Sequence, residues 1–257
     1  MMRKAWQTHD HYAYGAIAVI GTFGAIAVLS WLATTATWIG LVPQMTQVTP
    51  PFMNILGVLF GLTLAFLAND TWSAHDRARA AVLREADAIR GLDILTDATP
   101  EDQRAVLRQA VRDYASASAA EWPALARCDT SAAAADAADH LLSLFSGPSV
   151  NKAAGGTLQQ AMLGQVAAIR ESRDIRIGLS RTHVNPLKWL GMAFLGFLTL
   201  VSVAVIHAGD PGTALIAMGL FGLAAAPTAA IVLIHGNPFQ PPSAVSPAHL
   251  AGALAGR

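Results

Sequence analysis

The chain has 257 residues, and 17 Lys and Arg are balanced by 17 Asp and Glu, so only 13% are charged. A soluble globular chain carries about 25%. Mean hydropathy is +0.42, and six Trp with nine Phe exclude a disordered chain. The balanced charge excludes the basic excess of a nucleic-acid binder, and a single cysteine, Cys128, excludes an internal disulfide framework. What is left is an integral membrane protein, and the helical patterning along the chain makes it all-α.

Between Asp10 and Asp70 lie 59 residues without an Asp, Glu, Lys or Arg. About 20 apolar residues cross a bilayer, so this gap holds two spans, separated by breaks at Pro43 and Pro50-Pro51. The first span is predicted over about 14–42 and the second over about 52–69. The first is too long to be the core of a signal peptide, which runs to about 15 residues. From Arg77 to Leu95 there is no Pro and one Gly, which predicts that the second span continues as one helix to Leu95.

Thr99-Pro100-Glu101-Asp102 then reads as a helix start. Thr99 is the expected N-cap, Pro100 the first helical residue, and the two acids lie in the first turn. Leu107, Val111, Tyr114 and Ser118 share one face of that helix. Glu121-Trp122-Pro123 interrupts it, reading as a fixed bend with a packed indole. An Ala-rich helix is predicted over 131–145, ending at Gly147-Pro148, then an exposed loop over 149–156 and a helix over 157–182. Spans three and four are predicted over about 187–208 and 213–235, joined by a tight turn at Asp210-Pro211-Gly212. Trp31, Trp38, Trp72 and Trp189 fall toward segment ends, where interfacial anchors belong.

Of the 34 charged residues, 29 lie between Asp70 and Lys188, since only Arg3, Lys4, Asp10, Asp210 and Arg257 fall outside. The chain therefore divides into a membrane part (1–69), a helical domain (70–186), a second membrane part (187–236) and a tail (237–257). Fourteen of the 17 basic residues lie between Asp70 and Lys188, and neither short loop contains one. The positive-inside rule then places the middle domain and both termini in the cytoplasm. In a bacterium the membrane is the inner one.

Several groups stand out as candidate sites. Asn69 and Asp70 end the second span, and an ionisable residue at a membrane boundary points to function. Trp72, Asp76 and Arg79 follow along one helix face. Arg170, Arg173, Arg176, Arg181 and Lys188 form a basic row that fits acidic headgroups, an anion route, or simple positive-inside placement. Gly57 and Gly61 make a Gly-x-x-x-Gly that permits close helix packing. There is no His-x-x-x-His, no Cys-x-x-Cys and no Gly-rich phosphate loop, so no metal, cofactor or catalytic group is expected.

Gly61, Phe66, Asn69, Asp70 and Trp72, followed by Asp76, Arg79, Val82, Glu85 and Ala86, form a pattern that resembles the bacterial bestrophin-like proteins. Glu121-Trp122-Pro123-Ala124, Asn237-Pro238-Phe239 and Val245-Ser246-Pro247 extend the likeness over about 54–247. A more distant likeness to true bestrophins rests on the four membrane helices with a cytoplasmic helical bundle inserted between helices 2 and 3, the aromatic- and Arg-containing exit from span two, and Asn-Pro-Phe after span four. It implies a homo-oligomeric, pentameric channel that passes anions such as chloride in preference to cations. On that likeness the second span lines the pore, with Asn54, Val58, Leu62 and Phe66 as lining candidates: the row Asn54, Val58 and Leu62 is the first choice and the row Leu59, Leu62 and Phe66 the second. Asn69, Asp70, Trp72, Asp76 and Arg79 are then at the cytoplasmic mouth. Gln240-Pro241-Pro242-Ser243 follows Asn-Pro-Phe without an acid, so calcium is not expected there. The competing reading is a non-conducting membrane sensor or scaffold whose cytoplasmic domain binds a partner or associates with itself.

Overall fold

The computed structural model describes residues 11–34, 42–181 and 186–254. Arg3, Lys4, Trp38 and the end of the first predicted span lie outside the described residues. Among the described residues every regular element is helical: α1 (His11–Thr34), α2 (Val42–Thr96), α3 (Glu101–Ala119), α4 (Trp122–Ala126), α5 (Ala132–Phe145), α6 (Pro148–Ser180), α7 (Pro186–Ile206), α8 (Pro211–Ile234) and α9 (Ala248–Ala251). By length and composition, α1, α2, α7 and α8 can each cross a membrane.

The chain forms two units. One comprises residues 1–72 and 184–236, the other 73–183 and 237–257.

In the first unit, α1 and α8 run antiparallel at close range. A Cβ on Gly15 would lie 3.0 Å from Ile234, and one on Gly222 would lie 2.6 Å from Ile26 Cδ1. A larger residue at either position would force the facing isoleucine side chain to shift. Ile26, Leu200, Val203, Ala214 and Met218 form one apolar cluster, and Leu67, Ala68, Met192, Ala229 and Val232 form a second. The turn before α8 agrees with expectation. Asp210 is the N-cap, its carboxylate accepting from the Gly212 amide at 3.0 Å, and Pro211 opens the helix.

Three local expectations are corrected. The second span does continue without a break, but α2 begins at Val42, ten residues before the predicted start, with Pro50 and Pro51 inside it. Those prolines have no amide hydrogen, so the carbonyls of Thr46 and Gln47 lose their usual intrahelical donors. The cost falls on two hydrogen bonds and does not end the helix. Thr99 is not the N-cap of α3; Pro100 takes that place, and Thr99 Oγ1 donates to the Thr96 carbonyl at 2.6 Å.

The predicted loop over 149–156 is helical and belongs to α6, which bends at Gly155, where φ is 77°. A left-handed φ of this kind costs glycine little. The turn before the bend is held from outside its own sequence. Gln159 Nε2 donates to the carbonyls of Phe145 (2.9 Å) and Gly147 (3.1 Å), and its Oε1 accepts from Asn151 at 2.6 Å.

In the second unit, the part of α2 from Ala74 onward shares one buried core with α3, α5, α6 and the tail. Leu107, Val111, Tyr114 and Ser118 are all buried, as their shared face predicts. The core includes Val82, Ile89, Leu92, Leu141, Phe145, Met162, Val166 and Ile169, and the tail adds Phe239 and Leu250.

Candidate functional site

Within the first unit, α2 turns a broad face away from the other described helices. Val58 is 61% exposed, Leu62 51% and Phe66 68%, and Asn54 is exposed with them. These four residues lie at i, i+4, i+8 and i+12, a row that runs along one side of a helix. The opposite side supplies Leu67 and Ala68 to the core. Gly57 and Gly61 lie on the open side, and a Cβ on either meets nothing within 4 Å. The close approach that their spacing allows is therefore not used by a helix of the same chain among the described residues.

The row ends on charge. Asp70 is the next residue at four-residue spacing, and Lys188 Nζ of α7 lies 2.7 Å from its Oδ2, with both side chains 56% exposed. Asn69 and Trp72 are exposed beside it. After another four residues Ala74 is buried, so the open row stops at Asp70. In the second unit, Asp76 and Arg79 are exposed on α2, and Arg77 Nε donates to the Ser73 carbonyl at 3.2 Å.

A second group, deep in the second unit, fixes α2 from the other end. Glu85 is fully buried and accepts four hydrogen bonds. Arg176 of α6 grips it through Nε (2.6 Å) and Nη2 (2.9 Å), while Tyr114 Oη and Ser118 Oγ of α3 each donate at 2.7 Å. One helical turn before Arg176, Arg173 holds Glu121 in the same two-pronged way, at 3.2 and 2.6 Å. Glu121 also accepts from the Ser131 amide at 3.0 Å. Arg176 Nη1 lies 3.7 Å from Glu121 Oε2, too far for a hydrogen bond but close enough for attraction. Two acids and two arginines thus form one neutral buried network, with bidentate geometry that a lysine could not supply.

The charge states follow from these contacts. Burial alone would lower the Arg176 guanidinium, but the charge and hydrogen bonds of Glu85, with Tyr114 and Glu121, hold it above its ordinary value. Tyr114 is pushed far up, first by burial and then by the neighbouring Glu85 charge, so its hydroxyl stays a donor.

The tail closes over this network. The Trp122 ring lies against the Arg176 guanidinium, 4.9 Å from its centroid, a favourable cation–π arrangement. Phe239 meets the indole edge-on at 5.6 Å, and Trp122 Nε1 donates to the Val245 carbonyl at 2.5 Å. Asn237 Nδ2 reaches the last carbonyls of α4, Leu125 at 3.2 Å and Ala126 at 3.3 Å, while its Oδ1 accepts from the Phe239 amide. The Asn-Pro-Phe motif is therefore a helix cap joined to an aromatic contact.

The basic row divides under this geometry. Arg170 pairs with Asp139 at the surface, Arg173 and Arg176 are internal, and Lys188 belongs to Asp70. Neither buried arginine is placed to meet lipid headgroups or a solvated anion. The signal that could have separated them is their company. Met162, Val166, Ile169, Arg173 and Arg176 follow one buried stripe of α6.

A family model for the Bestrophin-like domain matches residues 20–250. The chain belongs to this family. No curated protein and no solved structure matches it. Five of the residues that carry the resemblance in the sequence have structural roles here: Glu85, Glu121 and Trp122 build the network, and Asn237 and Phe239 secure the tail over it. Among the described residues no group of three or more His, Cys, Asp or Glu could hold a metal ion.

Proposed function

We propose that this bestrophin-like chain assembles into a homo-oligomeric ion channel, a pentamer, in the bacterial inner membrane, with α2 lining the pore and anions such as chloride preferred over cations. The charged middle domain and both termini face the cytoplasm in this reading, as the distribution of basic residues favours. Family membership supports the channel class. The observation that carries the pore assignment is the open face of α2, where Asn54, Val58, Leu62 and Phe66 are left exposed by the other described helices. A ring of apolar side chains with a polar entrance gates water and ions by dewetting. Gly57 and Gly61, equally uncovered, suit the approach of a neighbouring copy. Between Asn54 and Phe66 the helix carries no acid that would exclude anions.

Purified full-length protein in planar bilayers under a KCl gradient, with the mass of the assembly measured in parallel, tests this. A ring-sized oligomer whose reversal potential follows chloride is the expected result. A monomer or dimer without conductance refutes the channel and favours a non-conducting sensor or scaffold. Leu62→Ala is expected to raise conductance by widening the apolar ring. An unchanged conductance would remove Leu62 from the pore even if the channel stands.

A further inference from the structure

The lining row of α2 does not end on an apolar residue. Its next member is Asp70, half exposed, and a ring of such carboxylates at a pore mouth attracts cations and repels anions. What alters that outcome is a residue from another helix. Lys188 Nζ stands 2.7 Å from Asp70 Oδ2. We propose that Lys188 determines the ion preference of the pore by neutralising Asp70 at the end of the α2 row. The proposal rests on the channel reading above and assigns the selectivity of that same site.

Three observations support it. Lys188 is the third residue of α7, in the first turn, where a cation opposes the helix dipole. Helix stability therefore gives no reason for a lysine there; positive-inside placement gives a general one, and the 2.7 Å contact with Asp70 gives a specific one. An exposed ion pair adds little to folding, so anchoring α7 to α2 is a weak account of it. Asp70 is also the last member of the row before burial at Ala74, the level at which an ion leaving the apolar row first meets charge.

The expected size follows from Coulomb's law. In water, one unit charge about 8 Å from a permeating ion changes its local concentration about two- to threefold, and several copies act together. Lys188→Gln, which exposes Asp70, should lower the chloride-to-potassium permeability ratio by at least about threefold. Asp70→Asn, which leaves Lys188 alone, should raise it by a similar factor. Lys188→Arg and the double variant Asp70→Asn/Lys188→Gln should stay near wild type.

The measurement is the reversal potential of each full-length variant in planar bilayers under a KCl gradient, repeated with gluconate replacing chloride. Size-exclusion profiles confirm that each variant assembles. Opposite shifts in the two single variants, cancelled in the double, establish the assignment. A conducting wild type with single variants within about twofold of it, or both shifted in the same direction, overturns the proposal and leaves the channel standing. A wild type that carries no current overturns the channel and the proposal together.

Discussion

Glu85→Ala removes the acceptor for four buried hydrogen bonds at once, from Tyr114, Ser118 and two nitrogens of Arg176. The guanidinium cannot leave, because Arg176 is fully buried and Trp122 lies across it. It keeps one hydrogen bond, Nη2 to Ser118 Oγ at 2.7 Å, and the attraction of Glu121 at 3.7 Å. Breaking a buried ion pair from one side costs about 3–5 kcal/mol. Because Glu121 offsets part of the stranded charge, the lower end of that range applies, about 3 kcal/mol. For a chain of this size that lowers Tm by about 6–12 °C.

Glu85→Met/Arg176→Met removes both charges and keeps most of the volume. It should cost less than Glu85→Ala alone, because no buried charge is left without a partner. The assay is thermal and denaturant unfolding of the full chain in detergent micelles, followed by far-UV circular dichroism. The reasoning fails if Glu85→Ala stays within about 1 kcal/mol of wild type. It fails equally if the double variant loses the sum of the losses of Glu85→Met and Arg176→Met measured singly, since independent sites add and coupled ones do not.

The remaining predictions use other contacts. Trp122→Phe keeps the ring but loses the donor to the Val245 carbonyl, so about 1 kcal/mol should be lost; hydrogen–deuterium exchange over 237–254 should rise while α5 stays protected. Burial raises the Cys128 thiol and the thiolate is the reactive form. Iodoacetamide labelling followed by mass spectrometry should therefore be slower at pH 8 than for free cysteine, and should still be climbing at a pH where an ordinary thiol has levelled off. Gly222→Leu pushes into Ile26 between α1 and α8 and should cost about 1–3 kcal/mol in the same unfolding assay. Gly57→Leu, with open space around it, should leave unfolding within about 0.5 kcal/mol yet reduce the mass of the assembly.

The membrane helices were legible because a bilayer penalises charge so strongly that their positions appear as gaps in the charge pattern. Asp10 to Asp70 is such a gap, and α1 with the first part of α2 occupies it. Local signals were less dependable wherever a distant residue intervened. Pro50-Pro51 reads as a break, yet α2 passes through it, since two lost hydrogen bonds weigh little in a helix of 55 residues. Residues 149–156 read as a loop, yet the amide of Gln159, ten residues after Ser149, ties them to the end of α5.

The buried network shows the same limit from the other side. Arg170, Arg173 and Arg176 look alike in sequence, and nothing local says that the second and third point inward. The partner of Arg176 is Glu85, 91 residues away, and that of Arg173 is Glu121, 52 residues away. The stripes on which they sit do carry the information. On α2, Ala78, Val82, Glu85, Ile89 and Leu92 recur at three- and four-residue spacing and are all fully buried, so Glu85 interrupts an otherwise apolar face. On α6 the interruption falls at Arg173 and Arg176. An acid breaking one apolar stripe and arginines breaking another are each prohibitive alone, because a buried charge needs a partner. Together they predict each other. Such a pair also fixes register, since a slip of one helical turn between α2 and α6 would strand both charges. The segment of α2 that bears Asp76 and Arg79 is thus held by an ion pair that tolerates no slip, not by apolar contacts alone.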